Sequence, residues 1–585
     1  MKNTTCDLYK ETALLLCHQY EISTQLINEL MVDFHLNSAI EILGEHTDKV
    51  EKMAFLLRAK EQECFSASRY DSVVKLRKKI IQKWDEEKIN SAFDKYCHSS
   101  GKTLNHKARK LSEMRWSCGK AWAHMFMEYS GIDNYFAGKR INNEKKNQFE
   151  DILPFIKLPE LVEYQIKLKE ALIKVIKEKG NEAKCLLSLP TGGGKTRVAV
   201  EAYIEYLRPR FAEGKYLIWI AQSEELCEQA IKTFQDMWKN KEFTECLRIY
   251  RLFGSHNMDV DSMIGGVVVC SINKLYNNIK ESQEGDACHY MIQNCSTCII
   301  DEAHRAVTKM YNKFYDYSQT VRGEQMFPIC GLTATPGRNN DTLSLTSHFL
   351  YRLFTPEVPS QFKENPILYF RKEKYLALPY HVEIATGQAF VFSDEDGEKI
   401  ETEWKKLKVG EKTSPELQEL MQELIGNGCK KLADNVKRNK LILDTLLSLP
   451  DNAKVLVYAC TVAHAELINS LLIAKGKQSA VITGNTPRYK RHAYIDKFKS
   501  DELQFIINHS VLTTGFDAPK TDHIVLCRPT FSDILYEQIV GRGLRGPRFG
   551  GTETCKIIDF CDTCERFGDQ QSYKRFETFW FQTSD

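Results

Sequence analysis

The stretch Leu186-Leu187-Ser188-Leu189-Pro190-Thr191-Gly192-Gly193-Gly194-Lys195-Thr196 constrains this chain most. An apolar run that meets three glycines and then a Lys-Thr pair predicts a strand, a tight loop and the start of a helix. Thr191, Gly192, Gly193 and Gly194 form a cradle whose backbone N–H groups can close on phosphate oxygens. Lys195 neutralises β- and γ-phosphate charge, and the Thr196 hydroxyl is placed to ligand Mg²⁺. Leu189 stands where the strict pattern has its first glycine, so the loop by itself does not settle which nucleotide chemistry it serves.

A chain of 585 residues is too long for one hydrophobic core, and about three or four domains are expected. With 43% hydrophobic and 27% charged residues, the composition is that of ordinary globular domains and excludes wholesale disorder. The formal charge of +2 means that any nucleic-acid binding has to come from local basic surface. No apolar run reaches the roughly 18–20 residues that span a bilayer, and the start Met1-Lys2-Asn3-Thr4-Thr5 lacks a signal peptide's apolar core. The expectation is a cytoplasmic protein without membrane contact. Cys185, Cys270, Cys298, Cys330, Cys460 and Cys527 sit in apolar, strand-like runs, as reduced core thiols do.

Residues 1–147 carry a helical pattern with few breakers and are expected to form an all-helical accessory domain, a candidate for a protein partner. Within it, Lys60 to Ile80 resembles the short helical hairpin of UvrB and UvrC proteins. The plainer alternative is a helix pair with Val73, Leu76 and Ile80 facing a core and Arg69, Lys75, Arg77, Lys78, Lys79 and Lys83 in a solvated face open to nucleic acid. Cys97, His98, His106 and Cys118, and the Cys561-Asp562-Thr563-Cys564 pair near Cys555, lack the spacing of a compact zinc site.

From 148 to 355 apolar strand-like runs alternate with helical stretches, the rhythm of a parallel α/β sheet whose functional loops lie at the strands' C-terminal ends. The rhythm fails between 356 and 432, which reads as an insertion or bridging segment. It returns from 433 to 585 without a second phosphate loop. Two α/β domains with one cradle suggest a site shared across their cleft.

Asp301 and Glu302 close the apolar run Thr297-Cys298-Ile299-Ile300. One carboxylate there can hold Mg²⁺ and its neighbour can orient an attacking water. With Ala303-His304 and Thr333-Ala334-Thr335-Pro336 after them, and Val511-Leu512-Thr513-Thr514-Gly515-Phe516-Asp517-Ala518-Pro519 and Gln538-Ile539-Val540-Gly541-Arg542-Gly543-Leu544-Arg545 further on, the series resembles the motifs of superfamily 2 helicases of DEAH type. Several phrases are similar to RadD-like repair ATPases and to restriction-enzyme motor subunits, and together the motifs cover roughly residues 158 to 565.

The resemblance implies two tandem RecA-like parallel-sheet domains, ATP and Mg²⁺ as cofactors, and a nucleic-acid-stimulated ATPase that moves on DNA in preference to RNA. The alternative is a nucleotide-switched clamp or recruiter without processive unwinding. It places Arg545, or else Arg542, as the arginine that stabilises γ-phosphate charge, a contribution of about 10³ to 10⁵ in rate in related NTPases. Gln538 is set beside the attacking water or γ-phosphate, Gly515 and Asp517 on the ribose side, and Gln165 at the adenine. Gln222, Ser223, Ser271, Asn273, Thr461, Thr483, Thr513 and Thr514, at loop ends, become the candidates for contacts to a nucleic-acid backbone, which carries no sequence information. Each is equally an ordinary cap or turn residue.

Overall fold

The computed structural model describes residues 4–43, 48–97, 103–138, 149–152, 158–178, 180, 182–190, 192–241, 243–306, 308–334, 347–350, 352–363, 365–389, 426, 428–484, 486–509, 518–530 and 533–563. Among these no helix is long and apolar enough to cross a membrane.

Eight strands make the first sheet: β1 (Phe149–Ile152), β2 (Lys184–Ser188), β3 (Tyr216–Ala221), β4 (Leu247–Leu252), β5 (Gly266–Ser271), β6 (Cys295–Ile300), β7 (Ile329–Thr333) and β8 (Leu353–Phe354). Their spatial order is β1-β4-β5-β3-β6-β7-β2-β8, and every pairing is parallel except that of β1 with β4. β3 and β5 are buried along their whole length. That is why their sequences read as unbroken apolar runs: helices cover both faces of a parallel sheet.

The second sheet contains β9 (Leu378–Ala389), β10 (Val455–Tyr458), β11 (Ser479–Ile482), β12 (Phe505–Asn508), β13 (His523–Leu526) and β14 (Thr554–Thr563), in the all-parallel order β11-β12-β10-β13-β14-β9. The two sheets with their helices are the RecA-like pair expected. One expectation needs correction. Residues 378–389, assigned above to a bridging segment, belong to the second sheet as its edge strand β9. An edge strand meets solvent along one side, so β9 alternates exposed and half-buried residues such as Tyr380, Glu383 and Ile384, and the apolar run that betrays an inner strand is absent.

The described residues up to 138 are mainly helical and share one buried cluster with the outer helices of the second sheet. Helices Asn37–Leu43 and Lys49–Lys60 pack on Val436–Leu447 and Val462–Ala474, and the Lys60 ammonium pairs with Glu466. Val73, Leu76 and Ile80 are buried as expected, but Arg77 does not join the solvated face. It is fully buried, with Nη1 donating to the Met114 carbonyl at 3.0 Å and Nη2 to Ser68 Oγ at 2.9 Å, because its place on the helix turns it to the core side. Lys75 and Lys83 are paired with Glu29 and Glu21, each at 2.8 Å, which reduces the basic character of that face.

Candidate active site

β2 delivers the chain to the phosphate loop, and the helix Lys195–Phe211 leaves it. Gly194, at φ 89° and ψ 23°, is the N-cap of that helix and contributes no side-chain cap. The first N–H groups of the helix are therefore left for an anion, and the left-handed conformation favours glycine. Gln165, from the helix Glu163–Ile176, braces the loop: its Oε1 accepts from the Val162 N–H at 3.1 Å and its Nε2 donates to the Gly193 carbonyl at 3.2 Å. Tyr164 donates its hydroxyl hydrogen to the same carbonyl at 2.8 Å. Tyr164 escaped the sequence reading because nothing in its neighbourhood marks a buried tyrosine as a loop partner.

β6, separated from β2 by β7 alone, ends at Asp301 and Glu302. The Asp301 N–H donates to the Ile220 carbonyl at 2.9 Å, which ties the acidic pair to the end of β3. Glu302 adopts φ 51° and ψ 50°, a strained choice for a residue with a side chain. His304 Nδ1 lies 3.4 Å from Glu302 Oε2. Burial pushes the Asp301 carboxyl up, the charge of Glu302 adds to this, and Lys195 and Arg542 oppose it. Burial also acts against ionisation of Glu302, but the adjacent His304 and the charges of Lys195 and Arg542 outweigh it and hold that carboxyl low. Two carboxyls buried together beside a lysine fit a divalent cation, which would relieve both the burial and the mutual repulsion. Asp301 and the half-buried Thr196 on the first turn after the loop would hold it.

Arg542, from the second sheet's unit, thus adds its charge to an acidic pair in the first. Arg545 arrives at the loop itself: a Cβ on Gly192 would lie 3.9 Å from the Arg545 Cα. The sequence put Arg545 first and Arg542 second, and the structure brings both to the cleft, one to the glycines and the other to the carboxylates. Gln538 is half-buried on the helix Asp533–Val540, one turn before Arg542. Thr191, Gly515, Asp517, Thr513 and Thr514 lie outside the described residues.

The remaining polar candidates stand at the C-terminal ends of strands, and several are committed to local bonds. Ser223, Ser271 and Thr461 cap helices by accepting from the N–H groups of Leu226, Lys274 and His464. Gln222 donates to the Tyr311 hydroxyl at 3.2 Å, the Thr483 N–H donates to Thr486 Oγ1 at 2.9 Å, and Asn273 is exposed. Among the described residues no group of three or more His, Cys, Asp or Glu is arranged to hold a metal; His98 and Cys564 lie outside them.

Two RecA-like domains, with a phosphate loop and acidic pair in one and a run of arginines brought to them from the other, define the superfamily 2 helicase and restriction-motor type. Residues 158–338 match the family of type III restriction enzyme res subunits, and residues 437–546 match the helicase conserved C-terminal domain. The two matches fall on the first and the second sheet's unit respectively. It is similar to the putative ATP-dependent helicase IRC3 of Saccharomyces cerevisiae, at 25% identity over 409 residues, 69% of this chain and 51% of that protein. The type I restriction enzyme EcoKI endonuclease subunit of Escherichia coli shares 24% identity over 461 residues, 72% of this chain and 36% of that protein. A fragment structure of a putative HsdR subunit of a type I restriction enzyme from Vibrio vulnificus aligns at 17% identity and a TM-score of 0.45, covering 74% of this chain and 68% of the fragment. The chain spans about half the length of the yeast protein.

Proposed function

We propose that this chain is a nucleic-acid-stimulated ATPase that uses the cleft between its two sheets to move on DNA, in repair, restriction or phage defence. The observation that carries this reading is the split site: Lys195, Asp301 and Glu302 on one side, and on the other Arg542, whose charge acts on both carboxyls, and Arg545, whose backbone lies against Gly192 of the phosphate loop. A site assembled from two bodies turns over only when they are together, so binding and hydrolysis become coupled to closing and opening.

In this mechanism the phosphate loop and Lys195 receive the β- and γ-phosphates. Thr196 and Asp301 would hold Mg²⁺, which when bound would neutralise phosphate charge. Glu302, kept ionised, orients the attacking water and accepts its proton, with Gln538 beside it. Arg545 and Arg542 stabilise charge that spreads over the γ-phosphate oxygens. Gln165 is assigned to the adenine as well as to the loop it braces, and Gly515 and Asp517 to the ribose. The strand-end residues Gln222, Ser223, Ser271, Asn273, Thr461, Thr483, Thr513 and Thr514 are assigned to the DNA backbone. Preference for DNA is supported by the motif resemblance to repair and restriction motors, and the helical domain of residues 1–147 is assigned to a protein partner.

The test is ATP hydrolysis by the full chain with single- and double-stranded DNA and RNA, followed by displacement of an annealed strand or a triplex-forming strand. Stimulation by DNA with displacement is expected. An equal rate with every polymer and with none would refute the motor. Stimulated hydrolysis without displacement would establish the clamp instead.

A further inference from the structure

The segment that joins the two sheets is held against the turn carrying Arg545. Leu376 and Arg545 form an antiparallel bridge. On either side the Ala377 N–H donates to the Leu544 carbonyl at 3.0 Å, the Gly546 N–H to the Tyr375 carbonyl at 3.0 Å, and the Arg548 N–H to the Lys374 carbonyl at 3.2 Å. The approach demands glycine at 546, where a Cβ would lie 2.4 Å from the Lys374 carbonyl oxygen. This clasp touches the phosphate loop: a Cβ on Gly192 would lie 3.7 Å from Leu376 Cδ2 and 3.9 Å from the Arg545 Cα.

Tyr375 stands at the centre of the clasp and is 5% exposed. Its ring meets Tyr164 edge-on, with centroids 5.2 Å apart, and stacks on Phe549 at 5.5 Å and 23°. Its hydroxyl accepts from Arg548 Nη1 at 2.9 Å. Tyr164 in turn holds the Gly193 carbonyl. A continuous set of contacts therefore runs from the phosphate loop, through two tyrosines, to the residues immediately after Arg545. We propose that Tyr375 is a positioning residue for Arg545, coupling the conformation of the phosphate loop to the placement of that guanidinium. The inference rests on the reading of Arg545 as the arginine that stabilises γ-phosphate charge.

The physical consequence is a loss confined to the transition state. A shift of about 1 Å in a reacting group costs on the order of 10²-fold in rate, and an interaction made only in the transition state lowers kcat without raising KM. Single-turnover and steady-state hydrolysis by the full chain is compared for Tyr375→Ala, Tyr375→Phe, Arg545→Ala and the Tyr375→Ala/Arg545→Ala double variant. Tyr375→Ala is expected to lower turnover about 10²-fold with KM for ATP within about threefold. Tyr375→Phe, which keeps both ring contacts, is expected to restore most of that loss. In the Arg545→Ala background, Tyr375→Ala should change nothing further. Equal losses in both backgrounds, or a raised KM at unchanged kcat, would overturn the proposal. Full turnover in Arg545→Ala alone would instead refute the reading of Arg545 on which it stands. If Tyr375→Ala does not fold, Tyr164→Phe carries the same comparison. Losing the hydroxyl that donates to Gly193 and accepts from Gln165 Nε2, it is expected to slow turnover roughly fivefold in the native background and not in Arg545→Ala; equal slowing in both overturns the coupling.

Discussion

Glu302 turns into the left-handed region directly after Asp301, and its own N–H donates to Asp301 Oδ1 at 3.0 Å. The Asp301 carboxyl thus takes this N–H while the Glu302 carboxyl lies toward His304, and both feel the charges of Lys195 and Arg542. Adjacent residues on an extended strand would place their side chains on opposite faces; the turn keeps both in the cleft. Glu302→Gln is expected to abolish turnover, by at least about 10²-fold, while nucleotide still binds, because Lys195, Thr196 and Asp301 are untouched. Lys195→Ala is expected to lose binding as well. Nucleotide-binding fluorescence measured beside hydrolysis separates the two, and retained hydrolysis in Glu302→Gln would refute the role given to it.

Gln165 is buried with its amide shared between Val162 and the phosphate loop. Gln165→Ala leaves the Val162 N–H without its partner and releases one of the two donors on the Gly193 carbonyl. A rise in KM for ATP of about tenfold, larger than any change in kcat, is expected from the lost brace and lost base contact together. Steady-state kinetics with ATP and GTP checks it: selection between the two bases should narrow only if Gln165 also touches the base.

Lys60 and Glu466 differ in exposure, at 7% and 35% of their side chains. Removing the carboxylate leaves an ammonium in the buried seam between helical domain and second sheet. Glu466→Ala should therefore destabilise the chain by about 2 kcal/mol, whereas Lys60→Met, which fills the same space without a charge, should stay within about 1 kcal/mol of the native protein. Denaturant unfolding of both variants measures the difference. Equal effects would show the pair to be incidental to the seam.

His464 is held neutral inside the second domain. Its Nδ1 accepts from the Cys460 N–H at 3.2 Å, and its Nε2 bonds Asn439 Oδ1 at 3.0 Å. Burial, reinforced by the charge of Arg438, pushes the imidazole down to about 3. Between that value and the ordinary one near 6.5, the unfolded chain binds a proton that the folded chain does not. Stability from this group is thus complete above about pH 6.5 and falls as the pH drops, by up to about 1.4 kcal/mol per pH unit. Unfolding midpoints from pH 7.5 to 5 should show this slope, and His464→Gln should reduce it by one proton's worth even if the variant is less stable overall.

Apart from β4, whose apolar run Arg248 and Arg251 interrupt, the sequence alone determined the inner strands, the phosphate loop and the acidic pair. Those features are local: a strand buried on both faces has to be apolar throughout, a close approach to phosphate needs glycines, and metal chemistry needs carboxylates at a strand end. Arg542 and Arg545 were legible by resemblance, but their division between the acidic pair and the glycines was not, since it depends on how one sheet sits on the other. Only the tertiary structure decided that β9 belongs to the second sheet, that Arg77 is turned inward, and that Tyr164 and Tyr375 join the loop to the arginine-bearing turn. Each of these depends on contacts between residues far apart in the chain, and an edge strand, a helical arginine or a lone tyrosine carries no local pattern that reveals its distant partner.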